Sequence, residues 1–169
     1  MDARPFIDSL DFARNGKRLS GNIPLAELPR LQDSLYSAEG ILEYIITGGV
    51  DMHGDPLLDL NLSANCRLVC QRCLGGMDHQ LRINTRLMLK DQASLDALGN
   101  DEILAEDEQE TFDSILAESH LDLLELLEEE IILSLPIAPK HPQGICNTEI
   151  GLNEQKENPF AVLMKLKRN

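Results

Sequence analysis

The sequence predicts a single α+β domain: an antiparallel β-sheet of about four or five strands, a packed amphipathic helix, and short helices near the termini. Two patterns carry this prediction. Over residues 81–89, apolar and polar residues alternate with a period of two, which is typical of a half-buried strand. Leu124, Leu127 and Ile131 recur at helical spacing, which predicts a helix over residues 121–135 that buries these three side chains against the sheet.

Two more strands are predicted before the one at residues 81–89. One covers residues 39–50, and a second begins at the alternating residues 58–62. The His-Gly-Asp-Pro sequence at residues 53–56 separates them and is a turn signal. Because short connections join these three segments, they are predicted to form an antiparallel meander.

Helices are predicted at both ends of the chain. Asp8 or Ser9 can cap a short helix that stops at Gly16. Leucines at helical spacing predict a second helix over residues 25–35, and Asn158 can cap a short C-terminal one.

Length and composition indicate one domain over residues 1–169, because 43% apolar residues are enough for a hydrophobic core. Fifteen acidic residues and no Lys or Arg occur over residues 91–130, so residues 91–111 are predicted to form an acidic loop. Residues 147–157 are predicted to be a flexible polar segment.

In the helix at 121–135, Glu125 and Glu128 fall largely off the apolar stripe.

The formal net charge of −14 argues against general affinity for nucleic acids and allows a basic protein partner. The N-terminal residues lack the pattern of a secretory signal, and no apolar run approaches the length that spans a membrane. We therefore expect a cytoplasmic protein without a membrane partner, in which thiols stay reduced.

The cysteines offer a candidate metal site. Cys70 and Cys73 form a CxxC pair, while His141 and Cys146 form a His-x4-Cys pair, and both spacings occur in zinc sites. Two alternatives stay open at this point: a redox pair, or buried thiols without a ligand. No phosphate loop, nucleophile elbow or HExxH motif is present, so neither an enzyme nor a small-molecule substrate is expected.

One segment is locally basic. Residues 67–90 contain five cations and a single acid, and a strand face that carries such cations can track a phosphate backbone. The candidate RNA-binding residues are Arg67, Arg72, Arg82, Arg86 and Lys90.

Three segments together resemble one known family. The Cys-Gln-Arg-Cys motif at residues 70–73, the leucine- and glutamate-rich block at 122–136, and the Asn-Pro-Phe-Ala-Val-Leu motif at 158–163 are similar to the bacterial YceD family. The resemblance implies a non-enzymatic, cytoplasmic factor that supports synthesis, processing or stability of 23S large-subunit ribosomal RNA. It implies no catalytic residues.

Two partner classes follow from this resemblance and from the charges. The protein can bind large-subunit ribosomal RNA or its precursor, or it can bind a basic ribosomal protein or processing factor. The alternative hypothesis is a small zinc-binding adaptor that does not contact RNA directly.

Overall fold

The structure is a computed structural model that describes residues 5–101, 113–143 and 146. The strands are β1 (Phe6–Ile7), β2 (Arg18–Pro24), β3 (Leu35–Ser37), β4 (Ile41–Val50), β5 (Pro56–Val69), β6 (Gly76–Lys90), β7 (Asp113–Leu116) and β8 (Leu121–Asp122). The helices are α1 (Ser9–Arg14), α2 (Gln92–Asp101) and α3 (Leu123–Ser134), and two short 3₁₀ turns cover Leu25–Glu27 and Gln32–Ser34.

The main sheet has the strand order β2-β4-β5-β6-β7, and β3 pairs with one end of β5. All of its pairs are antiparallel except the one between β6 and the short edge strand β7. A separate two-stranded ribbon joins β1 to β8. The predicted α+β class with a mostly antiparallel sheet is therefore confirmed, with six strands in the main sheet.

Strands β4, β5 and β6 bury one face of the sheet and expose much of the other. Along β5, every second residue from Leu58 to Leu68 is buried, which is the period-two burial of a sheet covered on one side. Helix α1 lies directly over β4 at Gly48, where a Cβ atom would be only 2.7 Å from Ala13 Cα. Glycine at this position therefore lets the helix backbone approach the strand.

Helix α3 begins at Leu123, two residues after the start of the predicted range 121–135, because the Asp122 carboxylate caps it by accepting the backbone N–H of Leu124 at 2.9 Å. Leu127 and Ile131 are buried, as predicted. Leu124 is only half-buried, so the prediction is wrong for this residue, and the buried face lies slightly further round the helix. The same rotation buries Glu128, which was expected off the apolar stripe.

A hydrogen bond accommodates the buried side chain of Glu128 under the sheet. Its side chain is 3% exposed, and its Oε1 atom accepts the backbone N–H of Leu31 at 2.9 Å. Leu31 lies between the two 3₁₀ turns, where no ladder hydrogen bond is available to that N–H group. The carboxylate therefore connects α3 to the irregular segment that covers the same side of the sheet.

The helix predicted over residues 25–35 is wrong. This segment forms the two 3₁₀ turns and then β3. Pro29 explains the difference, since the residue before a proline is disfavoured in the α region, and Leu28 is extended at φ −102° and ψ 91°. The leucines of this segment nevertheless enter the core: Leu25, Leu28, Leu31 and Leu35 are all buried.

The predicted acidic loop is partly helical. Helix α2 occupies residues 92–101, the first part of the segment 91–111. The rest of that loop, the polar segment 147–157 and the C-terminal helix predicted from Asn158 lie outside the described residues. Among the helices that the structure does describe, none is long and apolar enough to cross a membrane.

Glu130 leads to a prediction about pH. Burial, together with the nearby Asp113 and Glu129 carboxylates, raises the pKa of Glu130 above its usual value. The folded state therefore binds this proton more tightly than the unfolded state, so stability falls as pH rises through the interval between the two pKa values. Glu130→Gln is expected to raise the midpoint of thermal unfolding at pH 7 and to leave it nearly unchanged at pH 4. Exposed Glu125→Gln is the control, and equal changes at both pH values for Glu130→Gln would contradict the assignment.

Candidate metal centre and open sheet face

The turn between β5 and β6 carries the CxxC pair. It is closed by two backbone hydrogen bonds, from the N–H of Cys70 to Gly75 O at 2.9 Å and from the N–H of Leu74 to Cys70 O at 2.8 Å. Leu74 adopts a left-handed conformation with φ 58°, which lets the chain reverse within a few residues. The pair therefore lies between two strands, unlike the strand-to-helix position that a thioredoxin-like redox site uses.

The chain that follows α3 returns to this turn. The backbone N–H of Gln71 donates to Pro139 O at 2.8 Å, and His141 Nε2 is 3.1 Å from Gly76 O. These contacts hold His141 against the CxxC turn, and the thiol of Cys146 also lies beside it, although both residues follow the turn by more than sixty residues in the sequence. The two pairs that the sequence singles out thus meet in space.

We call Cys70, Cys73, His141 and Cys146 the Cys3His cluster. Their ligand atoms all lie within 4.8 Å of one another. The Sγ atoms of Cys70 and Cys146 are 3.8 Å apart, and His141 Nδ1 is 3.4 Å from Cys73 Sγ and 3.6 Å from Cys146 Sγ. The distances are those of a compact group of four donors around one centre.

These three Cys–Cys and Cys–His distances lie close to the edges of a tetrahedral zinc site. Zn–S and Zn–N bonds of about 2.3 and 2.0–2.1 Å imply tetrahedral edges of about 3.8 Å between sulfurs and about 3.6 Å between sulfur and nitrogen. The hydrogen bond from His141 Nε2 to a carbonyl oxygen requires a proton on Nε2, so in the neutral ring the Nδ1 lone pair faces the sulfurs. The cluster could therefore hold a metal ion.

The cluster shifts one of its thiols, Cys70, toward the ionised form that a metal needs, whereas the pKa of Cys73 is raised because a backbone hydrogen bond is outweighed by burial and the hydrogen bond with Cys146. Burial opposes ionisation of Cys70, but backbone hydrogen bonds from His141, Cys73 and Arg72 outweigh it and lower the pKa of this thiol to about 5. The hydrogen bond with Cys146 is the main cause that raises the pKa of His141. The lowered pKa favours the thiolate form of Cys70, the form in which cysteine binds metals.

Cys66, the remaining cysteine, is not part of the cluster. It is buried in β5, its thiol lies 3.6 Å from His79 O, and burial raises its pKa. Arg72, by contrast, belongs to the surroundings of the cluster, because its Nε donates to Cys146 Sγ at 2.9 Å. From the sequence, Arg72 is a candidate RNA-binding residue, and no motif in the sequence indicates its contact with Cys146.

The side of the sheet that α1 and α3 leave uncovered is here called the open face. At its centre lie the outward residues of β5 and β6, which are mostly uncharged polar groups: Asn61, Ser63, Asn65, Gln80 and Asn84. No described helix packs on these residues, so they are exposed.

Three of the candidate RNA-binding cations are matched by acids on or beside the open face. Arg86 Nε is 2.7 Å from Asp59 Oδ1, Lys90 Nζ is 2.9 Å from Asp55 Oδ2, and Arg67 Nε is 3.3 Å from Asp78 Oδ1. Asp59 is directly opposite Arg86 in the pairing of β5 with β6. The face is therefore much less basic than the composition of residues 67–90 suggests.

Arg82 differs from the other four candidates. It is exposed on β6, and within the described part of the chain it makes neither an ion pair nor a thiolate contact. A shallow hollow of about 650 Å³ lies beside it, lined by Ser63, Asn65, Gln80 and other residues. A second hollow of about 250 Å³ continues on the other side and shares Arg82, Ser63 and Glu43 with the first.

Comparison with known proteins gives one family. The family model described as "Large ribosomal RNA subunit accumulation protein YceD" matches residues 58–167. A protein of Haemophilus influenzae with the name "Large ribosomal RNA subunit accumulation protein YceD" is 25% identical over 175 residues, which cover 96% of this chain and 94% of that protein. No solved structure shows significant similarity. Since the match covers more than half of the chain and includes the CxxC turn, helix α3 and the segment with His141 and Cys146, the chain belongs to the YceD family.

Proposed function

We propose that this protein supports the accumulation of 23S large-subunit ribosomal RNA as a binding factor without catalytic activity, working in the cytoplasm. The observation that carries the proposal is membership of a family whose description names accumulation of the large ribosomal RNA subunit. The similar protein of Haemophilus influenzae has the same description in its name and covers nearly the whole chain. The partner is the ribosomal RNA or its precursor, or a protein bound to it.

The open face is the surface that we propose for RNA contact. Its amide and hydroxyl side chains can donate and accept hydrogen bonds along single-stranded RNA, whose base edges are accessible. Arg82 lies where the two hollows meet and supplies a cation for a phosphate. Arg67, Arg86 and Lys90 stay in the proposed surface as paired cations at its edges, so binding is expected to be weak.

The ion pairs of Arg67, Arg86 and Lys90 limit how strongly the open face can bind the phosphates of RNA. A cation held by a carboxylate must lose or share that partner before it can neutralise a phosphate, so few counterions are released on binding. We therefore expect a shallow dependence of affinity on salt and a large contribution from Arg82. A broad basic surface, in contrast, would show a steep dependence.

The test is a binding titration of large-subunit ribosomal RNA fragments at several salt concentrations. Arg82→Glu is expected to weaken binding about tenfold or more, since a phosphate contact is lost and a repulsive charge is added. Arg14→Glu is the matched control, because Arg14 is exposed in α1 on the other side of the sheet. Equal affinities for the wild type and Arg82→Glu would exclude RNA contact through the open face.

The net charge of −14 and the pairing of most candidate cations favour a second candidate function, an adaptor for a basic ribosomal protein or processing factor. Affinity capture from cell lysate with and without nuclease separates the two. Partners that disappear on nuclease treatment support RNA contact. Basic proteins that remain bound support the adaptor.

We also propose that zinc is the ion of the Cys3His cluster. Three sulfur donors and one imidazole form a donor set typical of structural zinc sites, and four protein ligands leave no open position for a reacting water. The ion would join the β5–β6 turn to the segment after α3. This role is structural and is compatible with either partner class.

A further inference from the structure

Arg72 contacts the Cys3His cluster and its supporting loop at the same time. Its Nε donates to Cys146 Sγ at 2.9 Å. Its Nη2 lies 3.3 Å from the carbonyl oxygen of His141 and 3.4 Å from that of Pro142. One guanidinium from the CxxC turn therefore holds one ligand by its sulfur and another by its backbone.

The net negative charge of a zinc-loaded cluster is the physical reason why contact with the Arg72 guanidinium stabilises it. A zinc ion bound by three thiolates and a neutral imidazole carries a net charge of −1, and thiolates concentrate that charge on sulfur. Arg72 contributes +1 against the Cys146 sulfur, which brings the local sum to zero. In a chain with net charge −14, a guanidinium in direct contact with a cluster sulfur offsets this local charge.

The geometry of the contact requires arginine. The guanidinium is a planar fork whose Nε and Nη2 donors point in fixed, different directions, so it can bridge a sulfur and two carbonyl oxygens. A lysine ammonium in the same place would keep the charge but could not hold this spacing of acceptors from one rigid plane. The two properties of Arg72 can thus be separated by substitution.

We propose that Arg72 is a positioning residue of the metal centre: its guanidinium fixes the Cys146 thiolate and the backbone of His141 and Pro142 against the CxxC turn, and so determines how tightly the ion is held. The inference rests on the proposed zinc site and extends it from four residues to five. It also removes Arg72 from the proposed RNA surface, since its donors are directed at the cluster.

The test measures zinc affinity by competition with a chromophoric chelator in the wild type, Arg72→Met and Arg72→Lys. Groups that support metal ligands typically change metal affinity about 10–100-fold when removed, so Arg72→Met is expected to weaken zinc binding by that factor. Arg72→Lys should lie between Arg72→Met and the wild type because it restores only the charge. Arg82→Met, which removes a cation away from the cluster, is expected to bind zinc like the wild type.

Two readouts distinguish positioning from a general contribution to folding. Cobalt(II)-loaded Arg72→Met should show its sulfur-to-metal charge-transfer band at lower energy, because the Cys146 thiolate has lost a hydrogen-bond donor. Metal-free Arg72→Met should unfold at nearly the same temperature as the metal-free wild type. A fall in the metal-free melting temperature as large as that of the zinc-loaded protein would overturn the inference.

The zinc binding of the wild type and of Arg72→Met distinguishes a failure of the role proposed for Arg72 from a failure of the proposed zinc site. Wild-type protein that binds one zinc per chain, together with Arg72→Met that binds it equally tightly, would overturn the role of Arg72 and leave the zinc site intact. Wild-type protein that neither contains nor binds zinc would overturn both.

Discussion

Removal of zinc is expected to lower the free energy of unfolding by about 4 kcal/mol, relative to protein kept at free zinc a thousandfold above its Kd. The physical reason is that only the folded state brings the four ligands together, since two come from the β5–β6 turn and two from the chain after α3. Urea unfolding of one preparation, with zinc and with an excess of chelator, measures the difference.

Two cysteine variants make this test specific. Cys73→Ser removes a ligand of the Cys3His cluster, so its stability should no longer respond to the chelator. Cys66→Ser is the matched control, because Cys66 is a buried cysteine of β5 outside the cluster and its variant should keep the full response. Identical unfolding of the wild type with zinc and with chelator would show that the cluster is not a metal site.

Shortening the core side chain Leu127 is expected to have the second large effect. Leu127 is fully buried in α3 within the core beneath the sheet, so Leu127→Ala leaves a cavity there. Such a change typically costs about 2–5 kcal/mol. The free energy of unfolding from urea titration is the measurement.

The same helix provides the control for this substitution. Leu133 is 74% exposed on α3, and Leu133→Ala changes the same atoms without opening a cavity in the core. Its effect is expected to stay within about 0.5 kcal/mol. Equal losses of stability in the two variants would contradict the burial of Leu127 against the sheet.

Elements with local signals were predicted well from the sequence. The alternation over residues 81–89 is part of β6, the turn signal at 53–56 connects β4 to β5, and Asp8 caps helix α1. Each of these signals depends on residues within a few positions of one another. Capping and strand periodicity are local properties of the chain, so they can be recognised without the fold.

Predictions failed where a local pattern was compatible with two structures. The leucines of residues 25–35 have helical spacing and are buried, yet Pro29 prevents a continuous helix and the backbone forms 3₁₀ turns. In the prediction from the sequence, Glu128 lies largely off the apolar stripe. The structure buries it because the distant Leu31 N–H group provides a hydrogen-bond partner.

The fold class, the two candidate ligand pairs and the local excess of cations over residues 67–90 could all be predicted from the sequence. Which of these residues lie next to one another depends on the tertiary structure. The pairing of β5 with β6 places Asp59 against Arg86, and the return of the chain after α3 brings Cys146 to the CxxC turn and to Arg72. Ion pairs and metal ligands act over a few ångströms in space, whatever their separation along the chain. Spacing can therefore identify a candidate ligand pair, but its partners depend on how strands and loops are packed.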